Sequence, residues 1–213
     1  MPASIAVRRC AIVAAAALFA LLLAPKAHAG LLVSSAAPSS CADSTLSQPF
    51  APWLDNTHYF SLSDFENGAS DWNLTGNAAV TSGNEPWQVG GADDSQSLDL
   101  PAGSSATSQT VCVGIDSPTL RFFVRREAHG LLGYLSTLRV DALVQDNYGN
   151  TITVPMLATG GGSSWSPTLP MPVLASLLPL LPGDQTPIAF KFTATGSAEW
   201  HLDDAYVDPW HCC

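Results

Sequence analysis

Nine short runs of strand composition follow one another along the chain, and this succession constrains the fold more than any other feature of the sequence. Gly, Asn, Asp, Ser and Pro, the residues that favour turns, separate the runs, and no convincing long helical pattern interrupts them. Short strands at such intervals pack as two antiparallel layers around one core. We therefore expect a single all-β domain, an antiparallel β-sandwich. The predicted strands are 64–66, 77–82, 95–100, 106–113, 119–126, 137–146, 151–156, 188–194 and 199–207.

The first 29 residues have the pattern of a secretory signal peptide. Arg8 and Arg9 precede an apolar run, and residues 27–29 read Ala-His-Ala, a small-x-small cleavage site. The apolar stretch 10–24 is about 15 residues long, whereas a membrane-spanning helix needs about 20. We therefore expect cleavage after Ala29, a secreted, extracellular product, and no transmembrane anchor after cleavage. The predicted parts are the signal peptide (1–29), a flexible N-terminal segment (30–48), the β-sandwich domain (49–210) and a C-terminal tail with a Cys pair (211–213).

Loss of the signal peptide makes the chain strongly acidic. It removes Arg8, Arg9 and Lys26 and no acid, which leaves five Lys and Arg residues against 18 Asp and Glu residues, a formal charge of −13. Binding to phosphate backbones needs clustered cations. We therefore expect no nucleic-acid partner, and the charge mainly favours a soluble monomer.

Four cysteines remain after cleavage: Cys41, Cys112, Cys212 and Cys213. In an exported chain an even number of cysteines indicates disulfides, and four allow three pairings. We favour a bond between Cys41 and Cys112, because it would fasten the irregular N-terminal segment to a strand. For Cys212 and Cys213, separate partners, an intermolecular bond and free thiols all stay open, since a vicinal bridge needs a strained ring.

Residues 155–187 form a Pro-rich apolar excursion from the strand succession. They include seven prolines and a single charged residue, Asp184. Leucines at helical spacing follow Pro172, but Pro179 prevents a continuous helix. Two interpretations stay open: the excursion lies over an open edge of the sandwich and caps its core, or it forms an exposed apolar platform for a partner.

Alternation along the strands assigns side chains to faces, because successive residues in a strand point to opposite sides. Arg121 and Arg125 alternate with apolar residues of their run, and so do Arg139, Asp141 and Lys191 in theirs. If these strands share one sheet, the five residues form a single charged patch. The patch is either a solvated face with cross-strand ion pairs or a polar groove for a sugar chain, including one whose carboxylates fit the guanidinium fork.

Aromatic rings are a second ingredient of sugar binding, because the faces of sugar rings stack on them. Trp87 follows Asn84-Glu85-Pro86 in a turn that would hold its indole at a loop tip, and it is the strongest candidate. Trp72 and Trp200 lie beside strand signatures with apolar neighbours, so we expect them in the core. Further loop candidates are Tyr134, Tyr148 and Trp165.

The sequence contains no recognisable catalytic motif. A Gly-x-Ser-x-Gly elbow, a His-Glu-x-x-His pair and a phosphate loop are all missing. Glycoside hydrolysis needs only two carboxylates across a cleft, and Asp141 and Glu199 are the acids on strand faces near the cations. No motif surrounds either acid, so we expect a protein that is not an enzyme.

Two short acidic-aromatic signatures bracket the strand succession. Phe65-Glu66-Asn67-Gly68 leads to Trp72, and Leu202-Asp203-Asp204-Ala205-Tyr206-Val207 lies near the end. Together they resemble the opening and closing strands of jelly-roll carbohydrate-binding modules of the galactose-binding-like type, over residues 60–208. The resemblance implies a jelly roll, a polysaccharide or cell-surface glycan as partner, and a structural calcium ion. It implies Glu66 and Asp203 or Asp204 as calcium ligands, a set that suits an ion bound by six to eight oxygens.

These observations favour a secreted, non-catalytic β-sandwich protein that requires no cofactor and binds carbohydrate through a polar, cationic sheet face. One alternative is a structural or interaction protein of the cell exterior with no small ligand. A second alternative is a jelly-roll glycoside hydrolase or lyase.

Overall fold

Two antiparallel sheets face each other in the computed structural model, which describes residues 46–114, 119–145, 150–173 and 185–208. The all-β sandwich predicted from the sequence is confirmed. A 3-10 turn spans Ala51–Trp53 and one short helix, α1, spans Gly130–Tyr134. The strands are β1 (Leu46–Ser47), β2 (Tyr59–Ser63), β3 (Asn73–Thr75), β4 (Ala79–Ser82), β5 (Gln96–Leu100), β6 (Ser105–Thr107), β7 (Val111–Gly114), β8 (Thr119–Glu127), β9 (Thr137–Gln145), β10 (Thr151–Thr159), β11 (Ser166–Pro167), β12 (Met171–Pro172), β13 (Gln185–Thr195) and β14 (Glu199–Asp208).

The first sheet is organised around β14. Along one edge, the first half of β14 pairs with β5 and its second half pairs with β2. Along the other edge β14 pairs with β8 over most of its length. Beyond these neighbours, β4 extends β5, β1 extends β2, and β11 and β12 lie against the far edge of β8. The change of partner from β5 to β2 leaves a break in the sheet beside Asp204.

The second sheet is organised in the same way around β13. Strand β9 lies along one edge of β13 and carries β10 on its outer side. Along the other edge, β7 pairs with the first part of β13 and β6 with its later part, and β3 lies outside β6. Each sheet therefore has one long strand that holds two shorter strands end to end.

The core between the sheets follows the alternation of the strands. Phe122 of β8 meets Phe192 of β13 edge-to-face at 5.2 Å between ring centroids, and Trp72 lies 5.7 Å from the same Phe192 ring. Burying a ring of this size contributes about 2–3 kcal/mol. Phe65, Trp72, Trp200 and Leu202 are all buried, as the sequence predicted.

Two of the predicted strands differ in the structure, and β1, β3, β11 and β12 were not predicted. The strand predicted at 64–66 lies earlier, at Tyr59–Ser63, because Phe65 has a φ of 61° and belongs to a turn. The predicted strand 106–113 is divided into β6 and β7. Ser108 lies at the division, where its side-chain oxygen accepts a hydrogen bond from the Phe190 N–H of β13. Strands of two or three residues are too short for alternation to reveal them.

The beginning of the Pro-rich excursion continues the sandwich. Strand β10 runs through Pro155 with a register shift between Pro155 and Leu157, where a proline cannot donate to the ladder. Strands β11 and β12 then lie along the edge of β8, and Met171 and Val173 are buried in the core. This part of the excursion covers a sheet edge, whereas the leucines after Pro172 lie outside the described residues.

Several predictions concern parts of the chain beyond the described ranges. The signal peptide, most of the N-terminal segment, Cys41 and the tail with Cys212 and Cys213 lie outside them. The side chain of Cys112 also lies outside, so the Cys41–Cys112 bond stays a prediction. Within the described ranges, no helix is both long enough and apolar enough to cross a membrane.

Candidate functional site

An aromatic cluster covers part of the outer face of the first sheet, the face turned away from the second sheet. Its buried members are Phe50, Tyr59, Phe123 and Tyr206. The ring of Phe50 stacks on that of Phe123 with 5.4 Å between centroids, and Tyr59 meets Phe50 edge-on at 5.1 Å. Two loops supply the cover, since the rings of Trp53 and Trp87 lie 5.3 and 5.6 Å from Phe123. Trp87 keeps 44% of its surface exposed.

Arg121 belongs to this aromatic cluster rather than to an open surface. Its guanidinium lies 3.9 Å from the centroid of the Phe50 ring, donates from Nε to the Thr168 carbonyl at 3.0 Å, and forms an ion pair with Asp55. Burial pushes the pKa of Asp55 up, but hydrogen bonds from Tyr59, Thr57 and Arg121 outweigh it and hold that pKa below 3.8. A depression of about 580 Å³ opens beside this ion pair. Because Arg121 is only 5% exposed, its charge serves the fold.

A polar strip occupies the part of the outer face that the aromatic cluster leaves open. It consists of Asp99 on β5, Arg125 and Glu127 on β8, and Glu199 and His201 on β14. His201 stands between Asp99 and Arg125 in register, and Glu199 stands opposite Glu127. Arg125 donates to Glu127 at 2.9 Å, and the side chains of Arg125, Glu127 and Glu199 are 32%, 43% and 43% exposed.

Trp165 flanks the polar strip. The indole lies 5.5 Å from the guanidinium carbon of Arg125, and its centroid lies 6.3 Å from that of the His201 imidazole. A cation over an aromatic face is attracted by about 0.5–1 kcal/mol at a partly exposed site. The strip therefore combines donors, acceptors and one partly buried indole on an open sheet face.

The imidazole of His201 is enclosed by acids. Its Nε2 lies 3.4 Å from Glu127 Oε1 and 3.5 Å from Glu199 Oε1, and its Nδ1 lies 4.0 Å from Asp99 Oδ1. Burial and the Arg125 charge lower the pKa of His201 from its ordinary value, against the opposing effect of Glu127 and Glu199. Burial, with the charges of Glu199 and Glu127, raises the pKa of Asp99 to about 6.

A carboxylate cluster fills the break between β5 and β2. Carboxylate oxygens of Glu85, Asp94 and Asp204 lie within 4.8 Å of one another, and all three residues are buried. Asp203 adjoins them, but its two oxygens accept hydrogen bonds from the Glu85 N–H at 3.0 Å and the Asp204 N–H at 2.9 Å. Asp204 has a φ of 47° at the bulge, which turns its side chain toward the other acids.

Part of the carboxylate cluster lacks hydrogen-bond partners. The Glu85 carboxylate accepts hydrogen bonds from the N–H groups of Trp87 and Val89, and Oδ1 of Asp204 accepts one from the Tyr206 hydroxyl. Both oxygens of Asp94 and Oδ2 of Asp204 have no hydrogen-bond partner in the described part of the chain. Burial raises the pKa of Asp94 to about 6, and burial with neighbouring acids raises those of Asp204 and Asp203 to about 8 and 9. A hard cation with oxygen ligands would satisfy these atoms. The backbone of Gly90 lies close to the cluster, because a Cβ added at Gly90 would be only 3.0 Å from an Asp204 oxygen.

The structure divides the cationic patch that the sequence predicted. Arg121 and Arg125 are on the first sheet, whereas Arg139, Asp141 and Lys191 are on the second, so the five residues do not form one surface. Arg139 donates to Asp141 at 2.9 Å, and Lys191 stands opposite Asp141 in register. Of these five residues, only Arg125 lies in the polar strip, together with Glu199, the other acid that the sequence analysis placed near the cations.

The predicted calcium ligands are also divided. Asp204 lies in the carboxylate cluster and Asp203 beside it. The Glu66 carboxylate instead accepts hydrogen bonds from the N–H groups of Ser95 and Gln96, at 2.8 and 2.6 Å, and holds the start of β5.

Sequence reasoning missed Glu85 and Asp94 in the carboxylate cluster. A signal was present, because both acids flank a loop that contains the Gly90-Gly91 pair. Sequence reasoning also missed His201 in the polar strip, because two of its acidic neighbours, Asp99 and Glu127, come from other strands.

No protein-family model matches the chain, and no curated protein sequence matches it. Among solved structures, it is similar to the CBM22-1 xylan-binding domain from Paenibacillus barcinonensis Xyn10C, with a TM-score of 0.47 and 16% identity over 70% of this chain and 94% of that one. The family 11 carbohydrate-binding module of the Clostridium thermocellum cellulase Lic26A-Cel5E gives a TM-score of 0.39 and 13% identity over 70% and 93%. The CBM22-1-GH10 modules of Clostridium thermocellum Xyn10B give 0.48 and 13% over 70% and 28%. These likenesses concern the fold alone.

Proposed function

We propose that this chain is a secreted, non-catalytic β-sandwich protein that binds carbohydrate on the outer face of its first sheet. The proposal rests on the polar strip beside Trp165. An indole offers a flat apolar surface for the C–H face of a sugar ring, and the charged side chains around it can hydrogen-bond the ring's hydroxyls. Arg125 would donate hydrogen bonds to the sugar, since its side chain is one-third exposed and its guanidinium lies next to the indole. The signal pattern of residues 1–29 supports export.

The other predicted cations are less suited to this role. Arg121 is enclosed by Phe50, Asp55 and the Thr168 carbonyl, so it has no open donor face. Arg139 is on the second sheet, paired with Asp141 and away from any indole contact among the described residues. Arg139 is therefore a matched control, because it is also an exposed arginine beside a carboxylate on a central strand.

The test is binding of the purified mature protein to soluble xylan, galactan and a polyuronate by isothermal titration calorimetry. We expect Arg125→Ala and Trp165→Ala each to weaken binding at least tenfold, and Arg139→Ala to leave it within twofold. Reducing ends should not increase during incubation, which separates binding from hydrolysis. Binding to none of the three polymers, or equal binding by all variants, would reject the proposal.

We also propose a structural calcium ion at the carboxylate cluster. Glu85, Asp94 and Asp204 would hold it, and the ion would supply positive charge to three buried acids that no ion pair among the described residues neutralises. We expect calcium to raise the melting temperature of chelator-treated protein and Asp94→Asn to abolish that rise. The control is Asp93→Asn, which changes the exposed neighbouring acid. A melting temperature that does not respond to calcium would remove the ion from the proposal.

A structural or interaction role is the second candidate function, and the α1 region favours it. Leu131, Leu132, Tyr134 and Leu135 are 61–77% exposed, which is unusual for four apolar side chains in one short segment. If this surface mediates self-association, the double substitution Leu131→Ser and Leu132→Ser should lower the sedimentation coefficient at high protein concentration. It should leave polysaccharide binding unchanged. A coefficient equal to that of the unchanged protein would argue against this role.

A further inference from the structure

The His201 imidazole lies among acids without the hydrogen bond that a buried ring nitrogen normally makes. Its side chain is 9% exposed, and Nε2 has no hydrogen-bond partner among the described residues. The nearest acceptors, Glu127 Oε1 and Glu199 Oε1, approach Nε2 at 3.4 and 3.5 Å, too long for a good hydrogen bond. Oδ1 of Asp99 is likewise buried and unpartnered. Asp99 Oδ1 lies 4.0 Å from the other ring nitrogen, Nδ1, so two buried ligand-type atoms from neighbouring strands lie around one imidazole without a hydrogen bond.

The charges around this ring also do not balance. Asp99, Glu127 and Glu199 bring three carboxylates to one imidazole, and among the residues that the structure describes one cation, Arg125, forms an ion pair with them, through Glu127. Ligand atoms of Asp99, Glu199 and His201 lie within 4.8 Å of one another. A divalent cation at that point would satisfy the nitrogen and offset the excess negative charge in one step.

We propose that Asp99, Glu199 and His201, with Glu127 beside them, form a binding site for a divalent transition metal ion, for which Zn²⁺ is the first probe. A neutral imidazole nitrogen with carboxylate oxygens is a donor set that suits Zn²⁺. Calcium takes oxygen ligands, so it belongs at the carboxylate cluster and not here. Strand β14 thus contributes to two metal sites of different chemistry, through His201 to one and through Asp204 to the other.

The sheet holds these ligands in a fixed arrangement. Asp99, His201 and Arg125 stand side by side on β5, β14 and β8, and Glu199 and Glu127 form the next cross-strand pair. Trp200 and Leu202 flank His201 in sequence and are both fully buried, so the backbone on either side of the imidazole is anchored in the core. The Trp165 indole lies against the imidazole and limits access of water to it. Ligands on paired strands need little reorganisation to bind an ion.

The test is calorimetric titration of zinc chloride into chelator-stripped mature protein, with calcium present and free thiols alkylated. Calcium saturates the carboxylate cluster, and alkylation removes competing cysteine ligands. We expect one equivalent of Zn²⁺ to bind. Glu199→Gln, at a partly exposed side chain that folding should tolerate, is expected to weaken binding at least tenfold, and His201→Gln to abolish it. The control His129→Gln removes an exposed histidine elsewhere and should leave binding within twofold.

Cobalt provides a second measurement, since Co²⁺ bound by imidazole and carboxylate absorbs in the visible range. We expect that absorption in the unchanged protein and in His129→Gln, and not in Glu199→Gln. No bound zinc, or zinc binding that Glu199→Gln leaves unchanged, would overturn the proposal. Both measurements are made without polysaccharide, so their outcome does not depend on whether the polar strip binds sugar.

Discussion

Arg121 and Arg125 show how far neighbours determine the role of a residue. They lie four residues apart on the same face of β8. Arg121 is covered by Phe50 and the loop that carries Asp55, whereas Arg125 faces solvent beside Trp165. One guanidinium therefore stabilises the fold, and the other is available to a ligand.

We expect Arg121→Ala to lower the free energy of unfolding by about 3 kcal/mol, because it leaves Asp55 and the Thr168 carbonyl without their partner in a mostly buried site. Arg125→Ala should lower it by only about 0.5–1 kcal/mol, because the ion pair with Glu127 is exposed and the contact with Trp165 contributes about that much. Urea unfolding of the two variants measures both effects. Equal losses from the two substitutions would contradict this division.

Alternation in the sequence correctly placed Phe123, Arg121 and Arg125 on the face opposite Phe122 and Val124. It could not predict that Arg121 is buried, because the covering rings of Phe50 and Trp53 come from a loop about 70 residues earlier in the chain. The same limit applies to the polar strip. Asp99, Glu127 and His201 come from three strands whose pairing only the tertiary structure defines.

The connection from β13 to β14, which crosses from the second sheet to the first, shows the corresponding limit at the scale of elements. Both strands were predicted close to their observed bounds, since their apolar alternation is long. Their turn depends on Ser136, a residue before β9 whose side-chain oxygen accepts hydrogen bonds from the N–H groups of Ser197 and Ala198 at 2.9 and 3.1 Å. Gly196 has a φ of 82° and lies directly against Ser136.

We expect Gly196→Ala to destabilise the protein by more than about 2 kcal/mol. The added methyl group would lie 2.9 Å from Ser136 Cβ, in addition to the cost of a positive φ, which is about 1 kcal/mol for a residue with a Cβ. Gly103→Ala is the matched control, since Gly103 has a φ of 80° but open space around it. Chemical denaturation of both variants separates the effect of steric contact from that of backbone strain. Equal losses of unfolding free energy would mean that Ser136 shifts and relieves the contact.

At the scale of the whole molecule, excess negative charge is concentrated where the sheets bring acids together. The carboxylate cluster alone contains Glu85, Asp94 and Asp204, with Asp203 adjoining. A chain with 18 acids and eight cations cannot neutralise such a group from its surroundings. We therefore expect the stability of the fold to depend on pH and on cations.

In the absence of divalent cations, we expect the free energy of unfolding to fall as pH rises from about 5 to about 9. Burial raises the pKa values of Asp94, Asp204 and Asp203 to about 6, 8 and 9, so the folded chain retains protons that the unfolded carboxylates, with pKa values near 3.8, release. Melting temperatures in chelator across this range measure the effect. Calcium should reduce the dependence of the melting temperature on pH, and Asp204→Asn should reduce it as well. A melting temperature that rises toward pH 9 in chelator would contradict the assignment.

The two strands at the centres of the sheets, β13 and β14, are also the last two described strands in chain order. During synthesis, β2, β5, β8 and β9 therefore emerge before the strands against which they pair. Neither sheet can be completed until residues 185–208 have left the ribosome, and the pairings of β13 and β14 then form across long stretches of chain, so we expect slow folding. We expect a chain that completes its sheets so late to stay unfolded long enough to pass through an export channel, as its predicted signal peptide would require.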